Sequence, residues 1–297
     1  MFYFIKSLIF LSFILISSRA HALPSDMKLL SDIAYGKHAD QVLDVYIPAN
    51  AKDAPVIFMV HGGGWRGGDK ADRGDVENKV AHWGAKGFII IFTNYRLLPE
   101  MDPFGQAKDV EAALRFSQKR AGEWGGSSEK FILMGHSSGA HLASLAASLR
   151  STVTGNEIIP LLGTVSLDIS GYDVVKRITA QNSPEFYIER FGTDPDYWEK
   201  ASPFHALRDK IPPFLAICSL RSDIACIQAE DFIKKAKSLG TDGEVLAVDL
   251  SHMEINRELG KEVCYTKKVD NFLKKLSPGI KSMLSGQDTR MKKKLCQ

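Results

Sequence analysis

Residues 131–142 read Phe131-Ile132-Leu133-Met134-Gly135-His136-Ser137-Ser138-Gly139-Ala140-His141-Leu142. An apolar run passes through Gly-x-Ser-x-Gly into a small-residue pattern of helical character. The two glycines permit a sharp turn from strand into helix that leaves the middle serine exposed at its tip. A serine between glycines is usually just a turn, but here strand, turn and helix coincide. Ser137 is therefore the candidate nucleophile.

Three further segments surround that turn with chemistry. Val56-Ile57-Phe58-Met59-Val60 runs into His61-Gly62-Gly63-Gly64-Trp65. A glycine-rich stretch at a strand end lets several backbone N–H groups converge on one cavity, where they can hold an oxyanion. Downstream, the apolar run Phe214-Leu215-Ala216-Ile217-Cys218-Ser219 leads to Leu220-Arg221-Ser222-Asp223, and Glu244-Val245-Leu246-Ala247-Val248-Asp249 leads to Leu250-Ser251-His252. Asp223 and His252 are the candidate acid and base, each in a loop after a strand.

Both have rivals. Of the eight histidines, His61, His136 and His141 flank the glycine motifs and are expected to pack and orient loops, while His205 is the runner-up base. Asp168, Asp173 and Asp249 compete with Asp223. Asp168 is placed inside or at the end of a strand over 164–169, and Asp249 stands only three residues before His252. An aspartate after a strand is most often a helix cap, and Asp223 does precede a helix-like run over 224–239.

With HGGGW, GHSSGAH and Asn94-Tyr95-Arg96-Leu97-Leu98-Pro99 on the page, the chain resembles the α/β-hydrolase superfamily. It is most similar to the hormone-sensitive-lipase-like esterases and the kynurenine-formamidase-like and feruloyl-esterase-like branch. The resemblance runs from about residue 42 to about residue 273. Ser138 stands where an alanine is frequent, which leaves its backbone N–H in place. The order Ser, Asp, His is that superfamily's.

The resemblance implies a serine hydrolase of carboxylic esters, short-chain or aryl, working through an acyl-enzyme on Ser137, Asp223 and His252, with the backbone N–H groups of Gly63, Gly64 and Ser138 as oxyanion donors and without metal or organic cofactor. An arylformamidase-like amidase and an inactive binding module are the alternatives. It also implies a cap between nucleophile and acid, in the aromatic-rich stretch 171–206. Trp65, Tyr172, Phe186 and Tyr187 are the candidate pocket residues.

The rest of the chain fits one such domain. With 297 residues, 44% hydrophobic and 25% charged, it is long enough to bury a substantial core. Strand-like runs alternate with amphipathic stretches at 72–85, 105–120, 140–149, 224–239 and 259–276, predicting an α/β fold with a mostly parallel sheet covered on both faces. Val42-Leu43-Asp44-Val45-Tyr46-Ile47 suits an antiparallel edge. The domain reading is a signal peptide at 1–22, the hydrolase domain at 23–277 and a basic, flexible tail at 278–297. The leader rests on Lys6, the apolar run from Leu8 to Ile16 and Ala20-His21-Ala22, an A-x-A cleavage pattern. Export to the periplasm or medium follows. A net charge of +3 is too small to imply nucleic acid, and no later segment suits a membrane span. Partners are thus expected to be small ester substrates. Four cysteines in an exported chain allow disulfides. Cys226 and Cys264 follow the acid and base loops and are expected to pair, with Cys218 and Cys296 unpartnered.

Overall fold

In the stretch Ala-Pro-Val-Ile-Phe-Met-Val every residue from Ala54 to Val60 is buried, the pattern of a strand covered on both faces. The computed structural model describes residues 26–150, 159–181 and 185–285 and shows that strand in a sheet of eight. In chain order the strands are β1 (Met27–Ala34), β2 (Val42–Pro48), β3 (Ala54–Val60), β4 (Ile89–Thr93), β5 (Gly126–His136), β6 (Gly163–Leu167), β7 (Phe214–Ser219) and β8 (Gly243–Val248). In space they lie β1-β2-β4-β3-β5-β6-β7-β8. β1 and β2 pair antiparallel, as do β2 and β4, and every later pair is parallel. The predicted antiparallel segment at 42–47 is there, but β1 lies outside it as the true edge. Its residues are intermediate or exposed, so it carries little of the apolar pattern by which a strand is recognised.

The helices are α1 (Arg73–Trp83), α2 (Pro103–Arg120), α3 (Ser138–Arg150), α4 (Val174–Thr179), α5 (Glu185–Phe191), α6 (Pro195–Lys200), α7 (Pro203–Ala206), α8 (Asp223–Ser238), α9 (His252–Arg257), α10 (Val263–Leu276) and α11 (Pro278–Ser285). Side chains alternate across a strand, and the two faces of β3 show it. Val56, Phe58 and Val60 join α2 and α3 in one core, through Val110, Leu114, Leu142 and Leu145. Ile57 and Met59 join α1, α10 and α11 in the other, through Val80, Trp83, Val269 and Phe272. A third cluster seats α8 on β7 through Phe214, Ala216, Phe232 and Ala236. Short helices α4 to α7 form the expected cap between β6 and β7.

Two boundaries differ from expectation. The stretch 259–276 is a turn followed by α10, because Glu262 caps the helix by accepting from the N–H groups of Cys264 and Tyr265. The tail expected to be flexible from residue 278 begins as α11, whose Ile280 and Leu284, one helical turn apart, are buried. The leader and residues 286–297 lie outside the described residues. Among the described residues no helix is long and apolar enough to cross a membrane.

Candidate active site

The parallel strands β3, β5, β6 and β8 all deliver loops to one end of the sheet, where a doubly wound fold gathers its ligand-binding groups. Ser137 stands alone between β5 and α3 with φ of 54°, a left-handed conformation costly for a residue bearing a Cβ. Gly139 is required by close approach: a Cβ there would lie 2.3 Å from the carbonyl oxygens of both Val60 and His61. The glycine loop after β3 thus rests directly on the turn that carries the serine. Gly63, at φ of 128°, has a backbone that side chains rarely adopt. With Gly64 it lines a cavity of about 460 Å³ that also holds Ser137 and His252. Ser138 opens α3, so its N–H is one of those a helix start leaves without an intrahelical acceptor.

His252 is the first residue of α9, behind a Ser251/Glu254 capping box. Its Nε2 lies 2.9 Å from Ser137 Oγ, and its Nδ1 lies 2.7 Å from Asp168 Oδ2. The carboxylate beside the imidazole is therefore Asp168, and the expectation for Asp223 is corrected. β6 ends at Leu167, one residue earlier than Asp168 and two earlier than the sequence suggested. Asp168 is the first residue of the loop, at φ of 51°, on the strand beside β5. Its side chain is 4% exposed against 46% for His252, and its Oδ1 accepts the Ser219 N–H at 2.8 Å. Asp223 begins α8 after β7, one strand farther from the serine. Trp65, Ser137 and Asp168 make up three of the five non-glycine residues of positive φ among the described residues. Backbone strain collects where the chemical groups are.

Three histidines surround this line as structural groups, as expected. His136 is pushed down to about 3, first by burial and then by the neighbouring His252. Being neutral, it donates from Nε2 to the His252 carbonyl at 2.9 Å. Burial likewise lowers His141 to about 4; its Nε2 donates to Ala201 O while its Nδ1 accepts from the Trp65 indole. His61 is lowered by burial too and stacks on Tyr95. The runner-up base, His205, bonds Asp173 in the cap, and Asp249 bonds Arg221.

A second cavity of about 280 Å³ meets Ser137, His252 and Asp168 from the cap side, walled by Trp65, Ile169, Phe186, Tyr187 and Ala225. Three of the four predicted pocket residues are thus in place. Tyr172 is the exception: it is buried on Phe232, with its hydroxyl donating to Ser166 Oγ at 2.6 Å. Sequence reading missed the far wall of the larger cavity, formed by Asp69, Asp72, Asp75, Arg190 and Met253. Only the position of Asp69 and Asp72 just beyond the glycine loop pointed there.

The predicted Cys226–Cys264 bridge is also corrected. Cys226 is bonded to Cys218, with Cα atoms 5.1 Å apart, because α8 folds back along the strand it leaves. Cys218 is therefore not unpartnered, and Cys264 is itself disulfide-bonded elsewhere. The Cys218–Cys226 link closes the turn in which Ser219 holds Asp168 through its N–H and Leu250, two residues before His252, through its hydroxyl at 2.6 Å.

A family profile described as BD-FAE matches residues 43–228. Among curated relatives, the chain is 26% identical over 222 residues to "Esterase LipC" of Mycobacterium tuberculosis, covering 70% of this chain and 55% of that protein. It is 32% identical over 130 residues to "Carboxylesterase NlhH" of the same organism, covering 43% and 40%. The chain thus spans about half the length of such relatives or less. Among solved structures, esterase B of Lactobacillus rhamnosis superposes with a TM-score of 0.69 at 20% identity, over 90% of each chain. Thermogutta terrifontis esterase 2 gives the same score and identity over 89% of this chain and 96% of that one. With the serine turn, the glycine loop and the buried carboxylate gathered at one end of the sheet of an α/β-hydrolase fold, this chain belongs to the BD-FAE family.

Proposed function

We propose that the protein is an exported serine esterase that cleaves short-chain or aryl carboxylic esters. The observation that carries this reading is the unbroken line Ser137–His252–Asp168, with hydrogen bonds of 2.9 and 2.7 Å, opening on a cavity beside the glycine loop. His252 Nε2 takes the Ser137 proton as Oγ attacks the ester carbonyl. Asp168 holds Nδ1–H and stabilises the imidazolium. The backbone N–H groups of Gly63, Gly64 and Ser138 receive the oxyanion, each worth about 3 to 4 kcal/mol in the transition state. His252 then gives its proton to the leaving alcohol. Water repeats the sequence on the acyl-enzyme, releasing the acid. Nothing in these steps calls for a metal or organic cofactor. The relatives named as esterases support the bond type. The aromatic cavity of about 280 Å³ supports a small acyl group.

The test is turnover of 4-nitrophenyl esters from acetate to palmitate by the purified mature chain, beside an N-formyl aryl amine. Highest kcat/KM on short or aryl esters is expected, falling with acyl length as the cavity fills. Preference for the formamide would replace the ester reading with the amidase one, and silence of a folded protein on both would leave a binding module.

Export is supported by the leader-like residues 1–22 and by cysteine pairing of the kind that persists in oxidising compartments. Intact-mass and peptide mapping of the exported protein is expected to give an N-terminus at Leu23 and a linked Cys218–Cys226 peptide. A retained leader or two free thiols would count against it.

A further inference from the structure

Among the described residues Lys79 is the most deeply buried charge outside the site, with no exposed surface. It lies on α1, and its Nζ donates to three neutral oxygens: Asp75 O at 2.9 Å one turn back, Asn256 O at 2.9 Å and Asn256 Oδ1 at 2.7 Å. Asn256 is also fully buried, and its Nδ2 donates to Asp75 Oδ1. The carboxamide therefore bridges an ammonium and a carboxylate, its oxygen toward the positive group and its NH₂ toward the negative one. That orientation is the one a charged Lys79 selects.

Asn256 sits one turn after His252 on the same six-residue helix, α9. A helix that short has no stability of its own, so the placement of its first residue depends on what grips its other end. Its last three carbonyls are all held by side chains from neighbouring helices. Tyr265 of α10 donates to Ile255 O at 2.8 Å, Lys79 to Asn256 O, and Asn78 of α1 to Arg257 O at 2.5 Å. Lys79 is the one of the three that grips both backbone and side chain.

We propose, building on the esterase reading above, that Lys79 is a positioning residue for His252: its ammonium, clamped on Asn256, fixes α9 so that the imidazole meets Ser137, and loss of its charge loosens that grip. Burial lowers Lys79 to about 8, against the opposing pull of Asp75 on its own helix and of Asp72, which caps it. Of the elements packed around it, β5 brings His136, whose imidazole feels both Lys79 and Arg257, and α9 brings Arg257, which together with Lys79 faces Asp75. A neutral amine keeps two N–H donors and a lone pair. With three acceptors around it, one oxygen then faces a lone pair, or the Asn256 carboxamide turns over and leaves Asp75.

The expected result is a fall in wild-type kcat above pH about 8, with KM nearly constant and the fold retained by circular dichroism. Lys79→Met, which keeps the apolar stem, is expected to lower kcat about tenfold at pH 7 and to abolish that alkaline fall, a misplaced base rather than a lost binding contact. A second readout does not require turnover. The downfield proton resonance of the His252 Nδ1–H shared with Asp168 is expected to shift or broaden as pH crosses the Lys79 titration, and to be displaced at all pH values in Lys79→Met. If that variant fails to fold, the wild-type titration of the resonance decides alone. A resonance indifferent to pH in this range, or Lys79→Met with wild-type kcat and alkaline limb, would overturn the proposal. Absent ester turnover with the resonance still coupled to Lys79 would overturn the esterase reading and leave the positioning intact.

Discussion

Asp168→Asn is expected to lower kcat on 4-nitrophenyl acetate about 10⁴-fold with folding intact, while Asp223→Asn stays within about threefold of wild type. The asymmetry comes from what each oxygen of Asp168 does. Oδ1 accepts the Ser219 N–H and Oδ2 accepts His252 Nδ1–H. An asparagine must keep its oxygen on Ser219, since two donors cannot face each other, and so turns its NH₂ toward the imidazole. Nδ1 then has to accept, the ring proton moves to Nε2, and the nitrogen facing Ser137 can no longer take a proton. A large loss in Asp223→Asn with activity retained in Asp168→Asn would reverse the assignment of the acid.

Ser137→Ala is expected to remove about 10⁶-fold of kcat, and His252→Ala nearly as much, because members of such a line act as a unit. Alanine at 137 accepts the same backbone as serine and leaves Gly135 and Gly139 untouched, so the melting temperature should stay close to wild type. A fluorophosphonate probe should label Ser137 in wild type and nothing in the variant. Labelling of another serine, or residual hydrolysis above the His252→Ala level, would place the nucleophile elsewhere.

What could be read in the sequence followed from local necessity. The turn at 135–139 needs glycines on both sides of the serine, and the glycine loop follows a fully apolar strand, so both announce themselves in consecutive residues. The buried strands did so as well, because a parallel strand covered on both faces is an unbroken apolar run. Asp168 and Asp223 look alike in one dimension: each is an aspartate at the end of an apolar run. Which one reaches His252 depends on which strand lies beside β5, and on a strand end two residues earlier than Thr164-Val165-Ser166-Leu167-Asp168-Ile169 suggests. Cys226 pairs differently for a related reason: two loops that reach the same end of the sheet point to Cys264 as its partner, whereas α8 folds back on its own strand and brings it to Cys218. Tyr172 belonged to an aromatic-rich stretch, and only packing tells a ring on Phe232 from one facing a cavity.

The carboxylate on His252 Nδ1 thus stands just after β6, not in the turn from β7 into α8. Ser222 and Ala225 still wall the smaller cavity, and the Cys218–Cys226 link fastens that turn at both ends. For protein engineering, and for drift among descendants of this gene, that separates shaping the cavity from holding the imidazole. Positions 222–224, between Arg221, which grips Asp249 and Glu254 beside His252, and the buried Ala225, are the ones to randomise for acyl selectivity while the Ser137–His252–Asp168 contacts are inherited unchanged, giving a library in which altered preference need not cost rate.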